Sequence, residues 1–343
     1  MRSVLAVLGV GNPGKKATVI RLIIAGLICV GLGWLAGRGL DWQVVVDTLT
    51  GVPPHIIALS LAVFLLSNLL RAYRWQLLFI EETISLRRLF LIENMGLGIN
   101  NLLPVRVASE ATQFALLTLR DNISRGTALA TLGMTRVIDV WSSTLLLSVG
   151  LFLVPGVGQL ARYTAGGLVI SVLLLGLVHF LAWGGRGFRF VERFPLLTTF
   201  SAALRDLERH KLRLTVSILA GAVHWGVLGL SAWILAGSMG VEISLAQAVL
   251  LTIATIFVST SVPTVPGAIG VFEAAVVYIL AFFDVDKSHA FPYALVLHAL
   301  FFVPPTAIAV LLLPREGLGS LGKLGARARA LMNAPPAEPE PGR

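Results

Sequence analysis

Six stretches of this chain, 19–36, 55–79, 126–154, 166–184, 214–240 and 289–313, run almost without charge for 18 to 29 residues each. At a rise of about 1.5 Å per residue, roughly 20 apolar residues in a helix cross the ~30 Å hydrocarbon core of a bilayer. The composition agrees: the chain is 56% hydrophobic and 13% charged, whereas a soluble domain holds about 25% charged residues to face water. An all-α polytopic membrane protein is therefore expected, with one transmembrane domain over 19–314. It would be flanked by an N-terminal segment 1–18 and a tail 315–343. No stretch remains for a soluble catalytic domain.

Two further apolar blocks are broken in the middle. The block 89–117 is interrupted at Asn100-Asn101-Leu102-Leu103-Pro104, and the block 245–283 at residues 259–267, which include Pro263 and Pro266-Gly267. Each half is too short to span, so each block is read as a re-entrant helical hairpin. With the N-terminus inside, 23 of the 27 Lys and Arg then fall on the cytoplasmic side, in 2–21, 71–88, 106–125, 186–213 and the tail, while Arg38, Arg162 and Lys287 face out. That asymmetry is the positive-inside pattern of a plasma membrane, and it places both termini in the cytoplasm. The two hairpins enter from opposite faces. Pro104–Glu110 and Pro266–Glu273 resemble each other, each a proline break followed by a helix with an early glutamate. Oppositely inserted broken helices are typical of inverted-repeat transporters, which hold substrate near the midplane between them.

Other features narrow the function classes. The formal charge of +9 comes from cations at the ends of apolar blocks, which is topological and not a nucleic-acid patch. Cys29 is the only cysteine, so no disulfide framework or cysteine metal site is expected. Gly9-Val10-Gly11-Asn12-Pro13-Gly14 has dinucleotide-binding spacing but lacks the strand and helix that give it meaning. No cofactor and no metal is expected. The first apolar stretch reads as an uncleaved anchor. Residues 196–213 form an amphipathic cytoplasmic helix at the membrane surface, and the Pro-rich end after Met332 reads as disordered.

Ionisable groups within a bilayer are costly and mark cavities or partners. Here they are Glu93, Arg106, Glu110, Arg136, Asp139 and Glu273. Arg106 follows a proline break at a helix start, where a fixed cation and free N–H groups attract anions such as phosphate. Glu110 and Gln113 continue its face. Arg136 and Asp139, three apart, can neutralise each other. Glu273 follows the glycine-rich entry Pro266-Gly267-Ala268-Ile269-Gly270 and is read as an unpaired carboxylate able to take up a proton. Glu93, Glu110 and Glu273 are the candidate charge or proton relay. His224 and His298, alone in apolar spans, are read as satisfying backbone carbonyls.

Four segments in order, Arg74-Trp75-Gln76-Leu77-Leu78, Asn100-Asn101-Leu102-Leu103-Pro104-Val105-Arg106, Arg136-Val137-Ile138-Asp139 and Val265–Glu273, resemble the flippase-like transmembrane region of lysylphosphatidylglycerol synthases. That region also occurs as stand-alone membrane proteins, and the resemblance runs from about Leu22 to Leu313. Where the family's first hairpin has glycine then glutamate, this chain has Ala108 then Ser109, with Glu110 one residue late and Gln113 close to the place of a second arginine. No aminoacyl-transferase domain follows the last span, so lipid aminoacylation is not expected.

The resemblance implies transbilayer movement of a lipid with an anionic or phosphate headgroup, a phospholipid or a polyprenyl-phosphate-linked lipid, in a bacterial inner membrane. Its site would use Arg106, Glu110, Gln113, Arg136 and Asp139 with Asn100 and Asn101, and Pro266, Gly267, Gly270 and Glu273 from the second hairpin. Two alternatives stand beside it. One is a non-catalytic membrane subunit assisting envelope export, with a partner protein or as a homo-oligomer. The other is a lipid-modifying enzyme, which lacks any grouped nucleophile and base.

Overall fold

A computed structural model describes residues 15–103, 107–154, 161–180, 195–261 and 266–317. Among them the chain forms twelve α-helices, one short 3₁₀ turn and no strand. In order these are α1 (Lys15–Gly37), α2 (Trp42–Thr50), α3 (Pro54–Gln76), α4 (Leu86–Leu102), α5 (Val107–Leu119), α6 (Arg125–Leu153), α7 (Ala161–His179), α8 (Pro195–Arg209), α9 (Lys211–Gly237), α10 (Leu245–Ser261), the turn Pro266–Ala268, α11 (Val271–Ala281) and α12 (Lys287–Leu312). Three of them, α3, α9 and α12, are each long and apolar enough to cross a membrane.

Helix ends carry the expected chemistry. Ser85, Ser124 and Asp286 cap α4, α6 and α12 by accepting from Arg88, Thr127 and Ser288 N–H groups, and Pro54 opens α3 at a position where its missing N–H costs nothing. Both blocks are broken, but later than the sequence placed the breaks: Asn100–Leu102 still belong to α4 and Ser259–Ser261 to α10, while 104–106 and 262–265 lie outside the described residues. α4 stops at Leu103, which is extended (φ −119°, ψ 137°), the conformation favoured before a proline. The second break turns on Gly267 and Gly270, at φ 78° and 84°, angles that glycine adopts without strain. One element has no counterpart in the sequence reading: α2, nine residues between the first two long helices, packs on α12. Nine residues make too few turns to show a periodic signal.

α3 lies along α9 at the centre. α4 packs on α3, α5 and α12, while α10 packs on α9, α11 and α6. Two apolar cores result. One gathers Leu89, Ile92, Met95, Leu116, Leu117 and Ile138 around α4, α5 and α6. The other gathers Leu235, Leu251, Phe272, Val276, Tyr293 and Leu297 around α9 to α12. The amphipathic helix α8 spends its apolar face on the protein, with Leu204 and Leu207 buried against α6 and its neighbours. It ends at Arg209, and α9 restarts from His210. The outer surface is strongly apolar. Leu168, Val169, Ile170, Val172, Leu173 and Leu177 of α7 all point outward, while Ser171 is buried and the open side of Gly167 faces Thr144 on α6. A helix docked by one narrow face and apolar elsewhere suits lipid as the surrounding solvent.

Away from the apolar belt, Arg88 ties α4 to the segment after α12. Its guanidinium donates to Asp121 at 2.8 Å and Glu316 at 2.5 Å, and this pairing holds the Glu316 carboxyl below its ordinary range.

The α4–α12 contact depends on a missing side chain. A Cβ at Gly98 would stand 2.3 Å from the Pro305 carbonyl oxygen and 2.5 Å from the Ala309 Cβ, too close for either to give way cheaply. Gly98→Ala is expected to cost roughly 1–3 kcal/mol through overpacking. Gly226→Ala on α9, where nothing lies within 4 Å, is expected to cost nothing. Thermal unfolding of the two variants in detergent compares them directly.

Candidate functional site

Arg71 and Arg74 lie one turn apart on the second half of α3, inside the protein rather than on the cytoplasmic side to which the charge count assigned them. Both point into the protein. Arg74 Nη1 donates to Asp139 Oδ1 at 2.6 Å with only 1% of its side chain exposed. Arg71 Nε lies 2.6 Å from Glu93 Oε1 on α4, and its Nη2 lies 3.6 Å from Asp139 Oδ2. Gln113 Nε2 of α5 donates to the other Glu93 oxygen at 3.0 Å. Gly96 permits that approach, since a Cβ there would meet the Gln113 side chain within 3 Å.

Arg136 completes the set. The expected Arg136–Asp139 pair exists at 3.7 Å, but each residue has a closer partner on another helix. Arg136 reaches Glu110 at 2.6 Å, and Asp139 reaches Arg74. Glu110 is thus paired across to α6; Arg106, whose helical face it was read to continue, lies outside the described residues. Among the described residues, three arginines and three carboxylates drawn from α3, α4, α5 and α6 form one charge-balanced cluster. Charges of one sign here would be untenable, because a buried ion without a partner costs several kcal/mol.

The cluster is graded in exposure. Side-chain exposure rises from 1% at Arg74 through 7% at Glu93, 15% at Arg71 and 14% at Asp139 to 36% at Glu110 and 42% at Arg136. Around it several buried polar atoms have no hydrogen-bond partner among the described residues: Nε of Arg71 and Arg74, Oε2 of Glu110 and Oγ of Ser142. Arg71 Nε is close to Glu93 as an ion pair, yet its N–H is not aimed at that oxygen. His224, on α9, places Nδ1 2.9 Å from the Ser67 carbonyl oxygen, the backbone role expected of it.

A second constellation forms at the other break. Glu273 is not unpaired, as its sequence context suggested. Its Oε2 accepts the Gly270 N–H at 2.6 Å, and its Oε1 lies 2.5 Å from Nδ1 of His298 on α12. Nε2 of the same imidazole faces the Gly267 carbonyl oxygen at 2.8 Å. His298 was legible only as a carbonyl partner, because nothing in a lone histidine reveals a carboxylate 25 residues away. Pro266 begins the 3₁₀ turn that presents the Gly267 carbonyl.

Asn101 links the two constellations. Its Nδ2 donates to the Phe302 carbonyl oxygen at 3.2 Å and to Thr306 Oγ1 at 3.0 Å, and its own carbonyl oxygen lies 3.9 Å from the position a Gly267 Cβ would take. The end of α4 therefore meets the second break directly. Asn100 is half-buried beside it. Glu93 and Asn101 are eight residues apart on α4, about 12 Å along its axis.

The ion pairs make a stability prediction. Asp139→Asn keeps the shape but strips Arg74 of its counter-ion, and removing one partner of a buried pair costs roughly 3–5 kcal/mol. The double variant Arg74→Met/Asp139→Leu is expected to recover part of that loss, although Arg71 and Arg136 also lean on Asp139. Thermal unfolding of the three variants reads both effects.

No curated protein matches the chain. A family model, the lysylphosphatidylglycerol synthase TM region, matches residues 19–309. That span covers α1 to α12 almost entire and includes every residue of both constellations. With most of its length matched and three of its described helices long and apolar enough to cross a membrane, this chain is a multi-pass membrane protein of the lysylphosphatidylglycerol synthase transmembrane-region family, acting in lipid-related processes.

Proposed function

We propose that the protein moves a lipid with an anionic headgroup between leaflets, the headgroup passing along the arginine–carboxylate cluster while the tails stay in the bilayer. The observation that carries this reading is the half-exposed Arg136–Glu110 pair. Arg136 lies eleven residues into α6, about 16 Å along a helix of about 43 Å. With α6 read as the span 126–154 of the sequence, this pair lies within the bilayer, where a charged pair cannot face hydrocarbon and is tolerated where it lines an aqueous cavity. The exposure gradient then runs from that cavity into the protein, with Arg136 at its open end and Arg71 and Arg74 behind it. Because the described part of the cluster sums to zero, a phosphate would enter that part by exchanging with a carboxylate rather than by adding to an existing excess of charge. No enzymatic step is part of this reading.

The fold supports the two-hairpin arrangement of this proposal. Exchange α3 with α9, α4 with α10, α5 with α11 and α6 with α12, and each substantial packing contact among these eight helices maps onto another one. The α4–α12 contact maps onto α10–α6, α5–α6 onto α11–α12, and α3 onto its own contact with α9. That self-mapping is what a two-fold pseudo-repeat produces, with two cores, one around each broken block. α4, α5, α10 and α11 hold 17, 13, 17 and 11 residues, and each falls short of the ~30 Å span. We read them as the arms of re-entrant hairpins inserted from opposite faces. With Arg71 and Arg74 moved into the interior, 21 of 27 Lys and Arg still fall on the side read as cytoplasmic, with both termini there, in a bacterial inner membrane.

Leaflet-resolved movement of fluorescent lipids in proteoliposomes tests the proposal. The wild type is expected to move anionic lipids faster than zwitterionic ones. Arg136→Gln and Arg106→Ala are expected to slow the anionic set by about tenfold or more, a loss of about 1.4 kcal/mol at the barrier. Wild-type movement at the rate of empty vesicles for every lipid in the panel would overturn it.

A further inference from the structure

The Glu273–His298 pair sits where the second break is closed, and its geometry fixes how many protons it holds. Both imidazole nitrogens face oxygen acceptors: Nδ1 the Glu273 carboxyl oxygen at 2.5 Å, Nε2 the Gly267 carbonyl oxygen at 2.8 Å. A neutral imidazole has one N–H and one lone pair, so it cannot donate to both. Two assignments satisfy both contacts. In one, an imidazolium donates to the Glu273 carboxylate and to Gly267. In the other, a neutral imidazole donates to Gly267 through Nε2 while a protonated Glu273 donates to Nδ1. The two differ only in which side of a single short bond holds the proton. Either way the pair holds one proton more than a carboxylate beside a neutral imidazole.

Remove that proton and one contact must fail. If the remaining N–H stays on Nε2, the Nδ1 lone pair faces a carboxylate oxygen. If it moves to Nδ1, the Nε2 lone pair faces the Gly267 carbonyl. An acceptor held against an acceptor in a buried site loses the bond and pushes the atoms apart. The Gly267 carbonyl belongs to a turn built from two positive-φ glycines. The same turn receives Glu273 through the Gly270 N–H, so displacement at either contact acts on it.

We propose that Glu273 and His298 form a one-proton site that clasps the second break shut, and that loss of its proton releases the Gly267–Gly270 turn. The consequence reaches other elements. α1 lies on this turn so closely that a Cβ at Gly270 would stand 2.3 Å from the Cys29 carbonyl oxygen, and the end of α4 touches it through Asn101. The rings of Phe272 and Phe302, at 4.5 and 4.1 Å, enclose the imidazole. Among the described residues no other charged side chain comes within ion-pair or hydrogen-bond distance of the pair, and Lys15, Lys16 and Arg21, the cations of α1, lie in its first third, away from Cys29. α10 has no ionisable side chain, and on α11 only Tyr278, which is exposed, accompanies Glu273. On α4, Glu93 is paired to Arg71 and Arg88 to Asp121 and Glu316, while Arg87 lies in the first turn, remote from Asn101. On the remaining neighbours, Arg71 and Arg74 of α3 face Glu93 and Asp139, Lys287 of α12 binds the carbonyls of Leu35 and Arg38, and His289 faces Asp286. On α2, Asp47 lies in the helix that packs further toward the start of α12. On α9, Arg213 donates to the Phe79 carbonyl, His224 faces Ser67, and Lys211 opens the helix beside them.

Placed within the proposed lipid pathway, the site would link movement of the second hairpin to proton uptake and release. It rests on that reading for its purpose and on the local geometry for its existence. Hydrogen exchange of the full-length protein in nanodiscs, followed by mass spectrometry across pH 5 to 9 on peptides covering Gly267–Glu273, tests it. In the wild type, exchange is expected to climb by about tenfold or more beyond its intrinsic base-catalysed slope once the proton is lost. Glu273→Gln, which has no proton to lose, is expected to follow the intrinsic slope alone. His298→Gln is expected to exchange fast at every pH. A wild type that follows the intrinsic slope throughout, or a Glu273→Gln variant that steps as the wild type does, would overturn the proposal. Lipid movement in the same preparation separates the two readings. A step in exchange without lipid movement removes the transport reading and leaves the proton site; lipid movement without a step does the reverse.

Discussion

Three arginines inside a lipid-facing protein set the terms for the rest of the structure. In a medium of low dielectric an isolated guanidinium is prohibitively costly, and it stays ionised because its proton is held too tightly to lose. Arg71, Arg74 and Arg136 must therefore meet Glu93, Glu110 and Asp139. Those six side chains come from four helices, so the pairing fixes α3, α4, α5 and α6 against one another. The short first hairpin arms gain their position from this, with Gly96 and Gly98 admitting the close approaches that the ion pairs and α12 require.

A cluster that served only to hold helices together would gain nothing from opening to water. This one is sealed at Arg74 and open at Arg136 and Glu110. In the proposed transport reading, this gradient is the path a headgroup follows. A headgroup phosphate resembles the carboxylates it would displace in charge and in oxygen geometry, so exchange of partners could proceed without any arginine being left bare.

Long apolar runs, the presence of a break in the blocks 89–117 and 245–283, and the rough limits of α3, α6, α9 and α12 were legible in the sequence, because hydropathy and proline act locally, although Asn100–Leu102 and Ser259–Ser261, read as part of the breaks, are helical. Glu93, Glu110, Gln113, Arg136 and Asp139 could be singled out for the same reason, since a polar group in an apolar run stands out wherever it points. Their partners could not. Arg71 and Arg74 were counted on the cytoplasmic side because they lie close to the end of an apolar block, and only tertiary packing turns the end of α3 inward. The sequence made Glu273 look alone and His298 look incidental. The bond between them joins two helices across a turn, and no periodicity encodes it. α2 was missed because nine residues make too few turns to show a pattern.

The claim on which the account rests is that the Arg136 face of α6 meets water at membrane depth. Gly133 is one turn before Arg136, exposed, and open on its Cβ side with nothing within 4 Å. The direct measurement is labelling of Gly133→Cys, in a Cys29→Ser background, by a membrane-impermeant maleimide in intact vesicles. Ile170→Cys, on the lipid-facing surface of α7, is the reference. Labelling of position 133 far faster than of position 170 is the predicted result. Equal, negligible labelling at both positions, with position 133 reacting only after detergent is added, would place that face in lipid and contradict the account.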